Sequence, residues 1–175
     1  MLRIINFLEA IIERLGIVAR YSLLALVLLV ASNVLLRYFF SISPVPLQEL
    51  EWHLISPIAL LGISYALKHR ADVRVDVFYD RFSAKGRCLV DLLGAVMTIA
   101  IGAAIAWLGL AYTEQSWQLM EGSPDPGGLP YRYLLKAFIP LGFAALAIQG
   151  VADCLRALMG LMAPTKPSDG HEVRS

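Results

Sequence analysis

The chain has 175 residues, 58% of them apolar and 17% charged, with a mean hydropathy of +0.64; soluble domains are roughly 45–50% apolar and about 25% charged. Lipid is the solvent that suits such a composition. A net charge of +1 leaves no basic face for nucleic acid, and Cys88 and Cys154 sit at or inside apolar stretches without the CxxC or His support that marks a disulfide framework or thiol chemistry.

In chain order, residues 2 to 15 place Ile4, Ile5, Phe7, Leu8, Ile11, Ile12 and Leu15 at helical spacing, with Arg3, Asn6, Glu9, Glu13 and Arg14 on the other side. This predicts a short amphipathic helix at the membrane surface, with the wet end of the first span as the alternative. The first span is expected over about 16–36, because the run Tyr21 to Leu36 carries no charge and about 20 residues cover the ~30 Å hydrocarbon core. A secretory leader is the rival, but it would need a long n-region containing Glu9 and Glu13.

Leu54 to Leu67 is too short to span by itself, since roughly 17 residues are needed. Starting the helix at Pro46, a residue suited to the first helical position, gives a second span over about 46–68, with Gln48, Glu49, Glu51, Trp52 and His53 in its first turns. The third is expected over about 88–113, with small residues Gly102, Ala103 and Ala104 inviting close helix contact. The fourth covers about 134–162, with a kink near Pro140 and Gly142. Residues 1–163 thus form a single transmembrane domain, and 164–175 a disordered polar tail.

Orientation follows from the cations. Assigning loops alternately puts twelve Lys and Arg on one side, among them Arg3, Lys68, Arg81 and Arg174, and only Arg37, Arg132 and Lys136 on the other. Cations accumulate on the cytoplasmic side of short loops, so both termini and the 68–87 loop are expected there.

Charged residues at membrane depth need partners. Arg37 closes the first span, and Glu49 and Glu51 open the second, so an interfacial ion pair pinning this hairpin is expected, against the simpler alternative of a snorkelling arginine and solvated carboxylates. Trp52 suits the headgroup level. Arg20, Asp91, Gln149 and Asp153 lie near the inner edges of their spans and read as structural. In the alternating stretch from Lys68 to Arg81, Arg74 and Asp76 are the polar anchors of an amphipathic connector, and His69 reads as solvated. The loop Glu121 to Pro130, rich in Gly, Pro, Ser and Asp, has a compact turn-forming composition. No HExxH, GxSxG, Walker A or CxxC pattern occurs, so no enzyme is expected.

Asn33-Val-Leu-Leu-Arg37-Tyr38, Leu47-Gln-Glu49-Leu-Glu51-Trp52-His53, Leu61-Gly62 and Val73-Arg74-Val-Asp76-Val, in this order within four spans, resemble the small membrane subunit of the tripartite ATP-independent periplasmic (TRAP) transporters, of the DctQ-like kind. Gln48-Glu49-x-x-Trp52-His53 with Gly127-Gly-Leu-Pro130 further resembles the mannitol or chloroaromatic branch. One departure is that Asp72 stands where the family usually has His before the Val-Arg-Val-Asp element.

The resemblance implies a bacterial inner-membrane protein in a three-part symporter. A periplasmic binding protein would capture an organic acid, a large membrane subunit would move it with sodium, and this subunit would scaffold the large one. It implies no cofactor here, sodium coupling being expected in the large subunit, and no substrate contact. Arg37, Glu49, Glu51, Trp52, Arg74 and Asp76 are the candidate subunit-interface or hairpin-stabilising residues. A membrane-embedded enzyme, a stand-alone channel and a small assembly factor remain alternatives.

Overall fold

A computed structural model describes residues 1–71 and 82–162. Its helices are α1 (Leu2–Phe40), α2 (Val45–Lys68), α3 (Ala84–Gln118) and α4 (Arg132–Met162). All four are long and apolar enough to cross a membrane; at ~1.5 Å per residue even the 24 residues of α2 exceed the ~30 Å core.

The amphipathic N-terminal stretch is helical as expected but is not a separate element. It continues without a break into the first span as a 39-residue helix. Nothing between residues 14 and 17 stops it, because Gly16 alone weakens a helix by only about 1 kcal/mol. Gly16 is needed there for packing: a Cβ would stand 2.0 Å from the ring of Tyr65 on α2. Ile5, Ile12 and Ala19 share the buried stripe of α1 with Gly16.

Helix ends follow local chemistry. α1 stops in an αL motif, with Ser41 left-handed at φ 54° and its N–H donated to the Arg37 carbonyl at 3.1 Å. α2 begins at Val45, so Pro46 takes the second helical position rather than the first. Ser83 caps α3 by accepting from the Gly86 N–H at 3.2 Å. Both Pro57 in α2 and Pro140 in α4 are buried, and the helices continue through them.

The helices pair as two hairpins, α1 with α2 and α3 with α4, and α2 packs on α4 to join them. α1 also touches α4, more lightly, so α3 is attached mainly through α4. Small residues set the crossings: a Cβ on Gly142 would lie 2.7 Å from Leu60 Cβ and 2.8 Å from its carbonyl, and one on Gly102 would lie 2.9 Å from the Phe143 carbonyl. Backbone approach of this kind is how helices associate where no hydrophobic force acts between them. The apolar surface left over is large, and in the most apolar 18-residue stretch of α1 no side chain is buried.

Candidate functional site

Polar side chains gather at the two ends of the bundle. At the turn end lie the α1–α2 turn and the α3–α4 loop; at the other, the starts of α1 and α3 and the ends of α2 and α4.

At the turn end, Glu49 and Glu51 are two residues apart on α2. At about 100° per residue they point to opposite sides of the helix. Glu49 faces the α3–α4 loop, where its carboxylate accepts from the Ser123 hydroxyl and from the Leu129 backbone N–H. Glu51 faces α1 and accepts from the Asn33 amide at 2.7 Å. The expected ion pair with Arg37 is not formed, because the donors that hold the two carboxylates are neutral and come from other places. Among the described residues the Arg37 guanidinium has no partner. The hairpin is fastened instead by Asn33, one turn earlier on α1.

The loop itself is closed by backbone bonds from Ser123 N–H to the Leu129 carbonyl at 3.1 Å and from Gly128 N–H to Asp125 at 3.0 Å, with Gly127 left-handed at φ +79°. That is the compact form its composition predicts. Its first residue, Glu121, accepts from the buried Ser116 hydroxyl at 2.6 Å and from the Lys136 ammonium. Lys136 also lies 4.1 Å from the Tyr112 ring centroid. These donors, Lys136 first, hold the Glu121 carboxyl below the usual carboxylate range. Trp117 stacks edge-on to Tyr133 at 4.5 Å.

Among the described residues, two hollows at this end concern the site. One, of about 200 Å³, is lined by Glu49, Trp52, His53, Asp125 and Arg132, among others. The other, of about 360 Å³, lies between α1 and α2 and includes Arg37 and Glu51. Trp52 borders both and is 69% exposed, as a residue at headgroup level should be.

At the opposite end the acidic side of the N-terminal stretch is engaged. Glu9 pairs with Arg156 on α4, and Glu13 pairs with Lys68 on α2. Lys68 also donates to the Glu9 carbonyl at 3.2 Å. His69 is not merely solvated: its ring packs 4.4 Å from that of Tyr65 and its Nε2 stands 3.4 Å from Glu13. Gln149 is fully buried and donates to both oxygens of Asp153 at 3.2 Å, while Arg156 Nη1 is 3.5 Å from Asp153. Asp153 and Gln149 thus belong to one packed network with Arg156 and Glu9, beyond simple snorkelling. Arg74 and Asp76, with Asp72 and the tail 164–175, lie outside the described residues.

Sequence reasoning did not find Asn33, Ser123, Glu121 and Lys136 as fasteners, nor the Glu9–Arg156 pair. Only the placement of Glu9 and Glu13 on the polar side of an amphipathic stretch hinted at the last.

Glu9, Glu13, Glu49, Glu51 and Glu121 each accept from a donor on another part of the chain, an arrangement that fastens helices and loops. With four membrane-length apolar helices, the protein is a multi-pass helical membrane protein. Residues 26–160 match the family described as tripartite ATP-independent periplasmic transporters, DctQ component. The chain belongs to that family, a transporter component and not an enzyme.

Two relatives are similar over 156 residues each. The isethionate TRAP transporter permease protein DctMQ of Oleidesulfovibrio alaskensis is 24% identical over 86% of this chain, which spans only 24% of that longer protein. The ectoine TRAP transporter small permease protein TeaB of Halomonas elongata is 26% identical over 89% of this chain and 76% of its own length.

Proposed function

We propose that the protein is the small scaffolding subunit of a TRAP transporter in a bacterial inner membrane, both termini in the cytoplasm. It would hold a large membrane subunit that imports an organic solute with sodium after a periplasmic binding protein delivers it. The observation that carries this reading is how the chain divides its surface. Most carboxylates at the two ends are held by the chain's own loop and helix ends, and what remains is a thin bundle with long unburied apolar helices. Such surface suits packing on a larger helical partner in lipid.

Within this reading Glu49 and Glu51 stabilise the two hairpins from inside the subunit, while Arg74 and Asp76 are candidates for contact with the partner. The mannitol or chloroaromatic branch is part of the proposal only through Gln48 to His53 and Gly127 to Pro130. The similar permeases are named for isethionate and for ectoine, so a small organic solute is the expected cargo class.

Reconstitution tests it. Liposomes holding this chain alone should accumulate no solute, and those holding it with its large subunit should take up, under an inward sodium gradient, the solute that the cognate binding protein retains. Uptake by the lone chain, or full uptake by the large subunit without it, would reject the scaffold.

A further inference from the structure

We propose that the groove between the end of α1 and the start of α2 seats the headgroup of a zwitterionic aminophospholipid, with its phosphate on Arg37 and its amine on Glu51. Both residues line one hollow of about 360 Å³, yet they are not paired with each other. The Arg37 guanidinium has no partner among the described residues. Glu51 has one carboxylate oxygen held by the Asn33 amide at 2.7 Å, which aims the carboxylate without neutralising it. A cation and an anion kept apart in one hollow are complementary to a ligand that carries both charges.

The rest of the groove matches the rest of such a lipid. Val34 and Val30 line the same hollow, one and two turns back along α1, and are 49% and 39% exposed. At ~1.5 Å per residue the apolar wall begins a few ångströms from Arg37 and extends roughly 10 Å toward the middle of the helix. Polar and apolar surface therefore follow one another along α1 in the order of a headgroup and its acyl chains. Trp52, on the rim, is the residue type that marks headgroup depth. A protein partner would have to bring an anion and a cation side by side at this depth, whereas an aminophospholipid supplies both in one molecule.

The test uses the full chain in mild detergent, with native mass spectrometry reading lipid retained after adding palmitoyl-oleoyl phosphatidylethanolamine or the phosphatidylglycerol with the same chains. The wild type should retain the ethanolamine lipid in preference to the glycerol one. Arg37→Ala should lower ethanolamine-lipid retention about tenfold, the scale of one charge-assisted contact. Glu51→Gln should remove the preference between the two lipids, and Lys85→Ala, at the other end of the bundle, should change nothing. If Arg37→Ala does not fold, Arg37→Gln carries the same expectation. Equal retention of both lipids by the wild type overturns the proposal. So does unchanged retention in the Arg37 variants, including the case in which they instead lose the co-expressed large subunit, which would assign Arg37 to a protein contact.

Discussion

The carboxylate of Glu49 on α2 accepts the backbone N–H of Leu129, 80 residues further along the chain, and so ties the first hairpin to the loop of the second. The same carboxylate takes the Ser123 hydroxyl, so one side chain grips both strands of the loop. Among the described residues, no other hydrogen bond joins the two hairpins at the turn end.

Glu49→Gln should therefore loosen the loop and leave the helices intact. Hydrogen exchange read by mass spectrometry should show the 123–129 segment exchanging about tenfold faster, the scale set by loss of a charge-assisted hydrogen bond. Unchanged protection of that segment would show that the loop is held by its own turns.

Glu121 introduces a pH dependence. Its carboxyl titrates below the usual carboxylate range because Lys136 and Ser116 donate to it. A group whose folded pKa is depressed stabilises the fold above its unfolded pKa, and that contribution is lost as pH falls through the folded value. The wild type should hold its melting temperature in detergent from neutrality down to the ordinary carboxylate range and lose it on further acidification. Glu121→Gln should melt lower at neutral pH and show a shallower acid limb, and identical acid limbs would exclude Glu121 as a source.

Glycine positions separate packing from helix propensity. Gly142→Leu forces side-chain atoms into the backbone of Leu60, and overpacking of this kind costs about 1–3 kcal/mol. A Cβ at Gly62 meets nothing within 4 Å, so Gly62→Ala should be neutral or stabilising by up to about 1 kcal/mol. Thermal melts of the two variants should move in these different directions; a common loss would deny the close α2–α4 crossing.

The Glu9–Arg156 pair joins residue types 147 positions apart. In a double-mutant cycle, Glu9→Ala and Arg156→Ala should show a coupling of about 1 kcal/mol or more, since residues in one ion-pair network couple on that scale. Additive effects would mean that the start of α1 is held without this pair, by the buried Ile5 and Ile12, 2% and 0% exposed, and by Lys68 on Glu13 and the Glu9 carbonyl.

The sequence by itself determined the solvent, the number of long helices and the compact form of the 121–130 loop. Those follow from apolar run length, from proline and glycine punctuation, and from periodicity along a single element. Helix α2 was found in this way despite its weak hydropathy, because Pro44 and Pro46 mark where it starts.

Tertiary structure decided the pairing of the polar residues. Arg37 and Glu51 are near in sequence and opposite in charge, yet Asn33 takes the carboxylate, because partner choice depends on which face of each helix turns inward. Glu49 differs from Glu51 by two positions and therefore points the other way, toward a loop that the chain reaches only after another complete helix. Whether residues 2–15 bend onto the membrane or continue α1 was likewise open in the sequence, since both use the same apolar stripe. The answer came from Lys68 and Arg156, cations on two other helices whose height in the bundle no local pattern encodes.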